Sequence, residues 1–160
     1  MATRKTQPRV QRRQRQHFRI ARALSTAPKV QYGAMPWRLV DGTLEVMLVT
    51  SRDTGRWVIP KGWPHEGMSP ARSAAQEAFE EAGITGAITK KAIGRFHYLK
   101  VLGDAEAVEC IVHVHAMEVE EEISDWPEMN QRTREWFLRP EAADLVDEPE
   151  LRAIIREFVP

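Results

Sequence analysis

Hydrophobic and polar positions follow a strand period over much of this chain and a helix period in three segments. We predict strands over residues 31–40, 44–50, 57–59, 92–99, 106–119 and 134–138, and helices over 69–82, 140–145 and 148–158. The dipeptides Asp41-Gly42 and Gly103-Asp104 predict tight turns between strands, and residues 118–125 an acidic loop. Strands interleaved with helices favour an α/β sandwich with a mixed sheet.

The helix predicted over residues 69–82 has well-marked ends. Ser69 followed by Pro70 is typical of a helix N-terminus, and Gly83 is typical of the left-handed residue that ends a helix. A strand-like run and a sharp turn, residues 57–64, precede it. A strand, a glycine-containing loop and a helix could bring a backbone carbonyl next to side chains of the helix.

One face of this helix carries the carboxylates Glu77, Glu80 and Glu81, and the opposite face carries alanines. Like charges at this spacing cost about 0.2–0.5 kcal/mol per pair when they are not compensated, and no helix neighbour is a base. Such a run is most often a solvated face. Because this one faces a loop, it could instead bind a divalent cation through oxygen ligands, which suits Mg²⁺ or Mn²⁺ better than zinc.

The spacing from Gly62 to Ile84 resembles the Nudix box, G-x5-E-x7-R-E-U-x-E-E-x-G-U with U apolar, without a gap. Met68 and Gln76 occupy the positions of its first glutamate and its arginine, which in the family mainly help to hold the loop on the helix. Residues 50–60 and 131–137 resemble segments of the Nudix branch that hydrolyses diphosphoinositol polyphosphates and diadenosine polyphosphates. The resemblance implies a Nudix-type α/β/α sandwich with a loop–helix catalytic motif.

The resemblance also implies a Mg²⁺-dependent pyrophosphohydrolase, with Mn²⁺ as an alternative ion, that cleaves a phosphoanhydride in a nucleotide-type or inositol substrate. Glu77 and Glu81 would be metal ligands together with the backbone carbonyl of Lys61. Glu80 would accept the proton of the attacking water or ligate a further ion through water. The sequence does not separate these two roles of Glu80.

Four residues are candidates for binding the substrate: Ser51, Arg52, Arg132 and Arg134. A guanidinium group matches the geometry of a phosphate, although each arginine could instead be an ordinary surface residue. Residues 96–103 lack the dense basic run expected for a diphosphoinositol substrate, which favours a dinucleoside polyphosphate. Trp37, Trp63, Tyr98 and Trp126 could stack on a base or belong to the core.

Two other groups of side chains have a less specific pattern. His113 and His115 alternate on one strand with a spacing that zinc can use, but packed histidines are the more common case. Glu120, Glu121 and Glu122 could add a carboxylate to the metal site, although a solvated loop is the simpler interpretation.

The net charge of zero hides a division of the chain into a basic tail and an acidic domain. Residues 1–29 contain nine Lys or Arg and no acid, whereas residues 30–160 contain 14 basic and 23 acidic residues. We predict a flexible tail, or a short helix that docks on the acidic domain or on a polyanion such as nucleic acid, followed by one Nudix domain. The role of the tail and the oligomeric state are not readable from the sequence.

Length and cysteine content restrict the class of protein further. The 160 residues suit one hydrophobic core, and no apolar run approaches the roughly 20 residues of a membrane span. The single cysteine, Cys110, cannot form an internal disulfide, so a reducing, cytoplasmic location is expected.

The changes at Met68 and Gln76 leave a second class of function open. The chain could be a Nudix-like module that senses a nucleotide while its basic tail binds nucleic acid or a partner. The three intact glutamates favour the hydrolase.

Overall fold

A computed structural model describes residues 27–103 and 106–160. These residues form the strands β1 Lys29–Val40, β2 Thr43–Thr50, β3 Trp57–Val58, β4 Lys61–Gly62, β5 Ile84–Ile88, β6 Gly94–Leu102, β7 Glu106–Glu122 and β8 Arg134–Leu138, and the helices α1 Pro70–Ala82, α2 Arg139–Leu145 and α3 Pro149–Glu157. None of the helices in the described ranges is long and apolar enough to cross a membrane.

The chain divides into two compact units. The larger comprises residues 30–98 and 111–160, and it contains the acidic helix α1 and the loop before it. Among the described residues, 27–29, 99–103 and 106–110 belong to the smaller unit. Residues 1–26 of the predicted basic tail and Asp104 of the predicted turn lie outside the described residues, so both predictions stay predictions.

The strands form one sheet in the order β3-β2-β1-β7-β5, with β4 paired to β1, β6 to β7 and β8 to β2. The hairpin between β1 and β2 turns at Asp41 and Gly42, whose φ angles of 51° and 78° are those that a tight two-residue hairpin turn needs. Antiparallel pairing places Lys61 opposite Gly33 of β1 and Arg134 opposite Val49 of β2. The segments before and after α1 are thereby anchored to the two central strands.

Both faces of the sheet are covered by helices. Helix α1 packs its small side chains, including Ala74 and Ala78, against Met47 and Met117 on one face. Helices α2 and α3 pack against the other face, where Leu151 is fully buried. The predicted α/β/α sandwich is confirmed.

The ends of α1 also agree with the sequence. The Ser69 side chain accepts a hydrogen bond from the Arg72 N–H, as expected of an N-cap. Gly83 has a φ of 64° and its N–H returns to the carbonyl of Phe79, which ends the helix in the left-handed conformation.

The predicted acidic loop over residues 118–125 was wrong for most of its length. Strand β7 continues to Glu122, and its last residues pair with β5, where Ile84 lies opposite Glu122. Strand β5 was not predicted because it is short and glycine-containing, with a bulge between Thr85 and Gly86. The two-residue strand β4 is too short to give a periodic signal.

Candidate active site

The acidic face of α1 is turned into the protein rather than towards solvent. Glu77 and Glu81 are buried, and Glu80 between them is partly exposed. The interpretation as a solvated face therefore does not apply to the first and last of these glutamates. Buried carboxylates need compensating partners, and segments outside the helix provide them.

Glu77 lies against the backbone of Gly62. A Cβ atom added at this glycine would overlap the Glu77 carboxyl group, with Oε2 only 2.6 Å away. Glu77 Oε1 also lies 2.8 Å from Nε2 of His65. Burial raises the pKa of Glu77, while the hydrogen bond to His65 acts in the opposite direction. Because Gly62 has no side chain, the Glu77 carboxylate can occupy this position.

Glu81 is held by two donors from other segments of the chain. The Lys61 N–H donates to Oε2 over 3.2 Å, and Arg132 Nη2 donates to Oε1 over 3.1 Å. Sequence patterns along the helix indicated no cation next to its glutamates, because Arg132 is distant along the chain. Burial raises the pKa of Glu81 to about 7, even though Arg132 opposes that rise.

Glu80 is oriented by the helix residue one turn before it. Gln76 Nε2 donates to Glu80 Oε1 over 3.1 Å. A nitrogen of His65 and one oxygen each of Glu77 and Glu80 all lie within 4.8 Å of one another. These residues, with a buried carboxylate seated in a glycine cradle, fit a divalent cation.

The arginines predicted to bind phosphate differ in how far their side chains are already engaged. Arg132 is only 9% exposed and also contacts Glu128 and the carbonyl of Thr50. Arg52 is 57% exposed and donates to Gln131. Ser51 lies in the adjoining turn, where its backbone bonds Gly55 and Arg56.

Arg134 lies at the C-terminal end of α1. Its Nη1 lies within hydrogen-bond distance of the carbonyl oxygens of Ala82, Gly83 and Ile123, and its guanidinium carbon lies 3.9 Å from the ring centroid of Trp126. A cation in this position donates hydrogen bonds to the last carbonyls of the helix and interacts favourably with the negative end of the helix dipole. These contacts support a structural role for Arg134, and its predicted role in substrate binding stays a prediction.

The four aromatic residues that could stack on a base lie in different surroundings. Trp37 contacts Phe158, Tyr98 lies beside the Lys61 ammonium group, and Trp126 Nε1 donates to the Glu81 carbonyl. Trp63, in the loop before α1, is 39% exposed.

The histidines of β7 have separate surroundings. His113 contacts the ring of Tyr32, and His115 is buried with Nδ1 2.8 Å from the carbonyl oxygen of Thr89. The only cluster of possible metal ligands among the described residues contains neither of them. Glu122, a candidate for an additional metal ligand, lies 3.6 Å from Arg38.

His65 is the site residue that sequence reasoning missed. Its position in the loop, three residues after Gly62 and twelve before Glu77, has no helical or strand period that would place it on the helix. The sequence signal that could have indicated His65 is the presence of a histidine inside a motif that lacks its usual arginine at position 76.

The pKa shift of Glu81 predicts how the stability of the metal-free protein depends on pH. The folded-state pKa of about 7 exceeds the ordinary value of 4.5, so the folded protein binds more protons between these values. The contribution of Glu81 to the free energy of unfolding is therefore full below pH 4.5 and is lost as the pH rises through 7. Urea denaturation in EDTA measures it, and Glu81→Gln should flatten the slope. An equal slope in both proteins would contradict the assignment.

Comparison with known proteins identifies the family. The NUDIX domain model matches residues 32–160. Nudix hydrolase 13, mitochondrial, of Arabidopsis thaliana is 28% identical over 144 residues, which cover 79% of this chain and 71% of the plant protein. Diphosphoinositol polyphosphate phosphohydrolase 3-beta of Bos taurus is 35% identical over 99 residues, covering 58% of this chain and 54% of that protein.

Among solved structures, a C. elegans Ap4A hydrolase binary complex superposes with a TM-score of 0.60 at 19% identity, covering 80% of this chain and 93% of that one. At this identity the similarity supports the fold alone. The family model spans most of the sequence and includes the glycine loop and the glutamates of α1. The chain therefore belongs to the Nudix family and is a Nudix hydrolase.

Proposed function

We propose that this protein is a Mg²⁺-dependent pyrophosphohydrolase that cleaves a phosphoanhydride bond in a dinucleoside polyphosphate, with a diphosphoinositol polyphosphate as the second candidate substrate. The observation that carries the proposal is the group of His65, Glu77 and Glu80, whose possible ligand atoms lie within 4.8 Å of one another, with the Glu77 carboxylate seated against Gly62. Burial, and to a smaller extent a neighbouring carboxylate, raises the pKa of both Glu77 and Glu81, so a cation bound here would compensate buried negative charge.

The glutamates of α1 have different roles in the proposed reaction. Glu77 and Glu81, with the Lys61 carbonyl, would hold the ion. When bound, a divalent cation supplies Lewis acidity to a phosphate oxygen and lowers the pKa of an attacking water. Glu80, partly exposed and oriented by Gln76, would accept the proton of the attacking water.

Recognition of the substrate is assigned to residues beside the cluster. Arg52 has the most exposed guanidinium among the three candidate arginines and is suited to a phosphate oxygen. The names of the bovine and nematode relatives contain the two candidate substrate classes, a diphosphoinositol polyphosphate and Ap4A. The sequence of residues 96–103, without a dense basic run, favours the dinucleotide.

Two wider aspects of the proposal concern the whole protein. We propose that residues 1–29 act as a basic tail separate from a Nudix domain of residues 30–160, and that the tail can contact polyanions. A cytoplasmic location stays a prediction, although the Arabidopsis relative is named as a mitochondrial protein.

A substrate panel tests the proposed function. Purified protein with Mg²⁺ is incubated with diadenosine polyphosphates, diphosphoinositol phosphates, nucleoside diphosphate sugars and 5′-triphosphate RNA, and products are separated by anion exchange. We expect the wild-type protein to hydrolyse the diadenosine polyphosphates, and we expect Glu80→Gln to hydrolyse them more slowly. No turnover of any compound, together with a rise in melting temperature on adding one of them, would contradict the hydrolase and support a nucleotide-sensing module.

A further inference from the structure

His65 occupies a position that holds its ring at the carboxylate cluster. Its N–H donates to Ser73 Oγ over 3.1 Å, and Ser73 is fully buried on α1. Its carbonyl accepts from the Met68 N–H over 3.1 Å, which closes the turn that includes Gly67. The backbone of His65 is therefore tied both to the helix and to its own loop.

The ring of His65 has the spacing of a metal ligand. Nε2 lies 2.8 Å from Glu77 Oε1. One ring nitrogen of His65 and one oxygen each of Glu77 and Glu80 lie within 4.8 Å of one another. Two adjacent ligand atoms at about 2.1 Å from an octahedral ion lie about 3.0 Å apart, close to the His65–Glu77 separation. Without an ion, this separation allows a hydrogen bond between His65 and Glu77. With an ion bound, it is close to the distance between two adjacent ligands of the same ion.

The geometry points to His65 as a nitrogen ligand of the metal site, one that shifts the selectivity of this enzyme from Mg²⁺ towards transition-metal ions such as Mn²⁺ or Co²⁺. This inference rests on the proposed function and extends it. Imidazole nitrogen binds transition-metal ions in preference to Mg²⁺, which keeps to oxygen ligands. A site of carboxylates alone would lack this preference.

The chain itself explains why a histidine can be accommodated at this position. The family pattern has a glutamate at position 68 and an arginine at position 76, and in this chain Met68 and Gln76 replace them. Gln76 turns to Glu80, so no cation of α1 contacts Glu77 within the described residues, and His65 is its side-chain hydrogen-bond partner. The loss of that pair leaves Glu77 open to a ligand from the loop.

Electron spin-echo measurements on the Mn²⁺-loaded protein test the inference directly. Coupling of the Mn²⁺ electron spin to ¹⁴N of an imidazole is expected in wild type and should be lost in His65→Gln. The control is His97→Gln, which removes an exposed histidine that pairs with Glu150, and the coupling should persist there.

Calorimetric titration of the metal-stripped proteins supplies the second readout. His65→Gln should weaken Mn²⁺ binding by about tenfold, the low end of the range for losing a group that supports a metal site, and change Mg²⁺ binding much less. Mn²⁺ binding that depends on Glu77 but shows no nitrogen coupling, with equal affinity in wild type and His65→Gln, would overturn the role of His65 alone. Failure of wild type to bind either ion would instead contradict the proposed function.

Discussion

Gly62→Ala is expected to lower kcat by roughly a thousandfold, because the metal would be displaced and would no longer stabilise the transition state. A thousandfold loss corresponds to about 4 kcal/mol. The added methyl group would occupy the space of the Glu77 carboxyl group. That group is the end of a flexible side chain, and the φ of Gly62 is not in the left-handed region, so the backbone can accept alanine. We therefore expect the free energy of unfolding to change by less than about 1 kcal/mol.

A second glycine in the same loop provides a control with the opposite profile. Gly67 has a φ of 74° and nothing within 4 Å of an added Cβ, so Gly67→Ala strains the backbone without entering the site. It should lower the free energy of unfolding by about 1 kcal/mol and leave kcat nearly unchanged. In a double-mutant cycle, Gly62→Ala should have little further effect once Glu77 is replaced by glutamine. Additive losses would show that Gly62 acts elsewhere.

Arg132→Met is expected to destabilise the metal-free protein by about 1–3 kcal/mol, the cost of leaving buried acceptors without a donor, since Glu81 can take up a proton once the guanidinium is lost. The side chains of Arg132 and Glu81 are 9% and 8% exposed, and the guanidinium also contacts Glu128 and the Thr50 carbonyl. Methionine fills much of the volume but leaves all three acceptors without their donor. It also removes the group that opposes the rise in the Glu81 pKa.

Urea denaturation in EDTA measures this effect, and Arg52→Met is the matched control. Arg52 lies near the same Glu128, at 3.7 Å, but its side chain is 57% exposed. Exposed pairs contribute about 0–1 kcal/mol, so the control should differ little from wild type. If both variants lost the same stability, Arg132 would not be compensating a buried charge.

The local structure around α1 could be predicted from the sequence because short-range physics determines it. Ser69, Pro70 and Gly83 mark the helix ends through capping and φ preferences, and Asp41-Gly42 marks the hairpin. The family pattern likewise predicted the α/β/α layers. These features depend on residues that are neighbours along the chain or on a contiguous motif.

The environment of the glutamates could not be predicted, because their partners are distant in sequence. Arg132 reaches Glu81 across 51 positions, and the pairing of β8 with β2 brings it there. His65 is closer to Glu77, but an irregular loop places it. Charge patterns along a helix therefore indicated a bare acidic face where the fold supplies partners from two other segments.

Strand ends were also difficult to predict from the sequence. Glu120 and Glu122 continue β7, although an acidic run is typical of a loop. Pairing with β5 and the contact between Glu122 and Arg38 stabilise the extended conformation there. Tertiary contacts of this kind override local propensity.

The metal dependence of the rate is the most direct test of whether the cluster on α1 holds the ion used in hydrolysis. Metal-stripped wild type and Glu77→Gln are assayed on diadenosine tetraphosphate over a range of Mg²⁺ and Mn²⁺ concentrations. The wild-type rate should rise from the EDTA baseline and saturate, while Glu77→Gln should stay near that baseline. Full activity in EDTA, or the same metal response in both proteins, would contradict this role of the cluster.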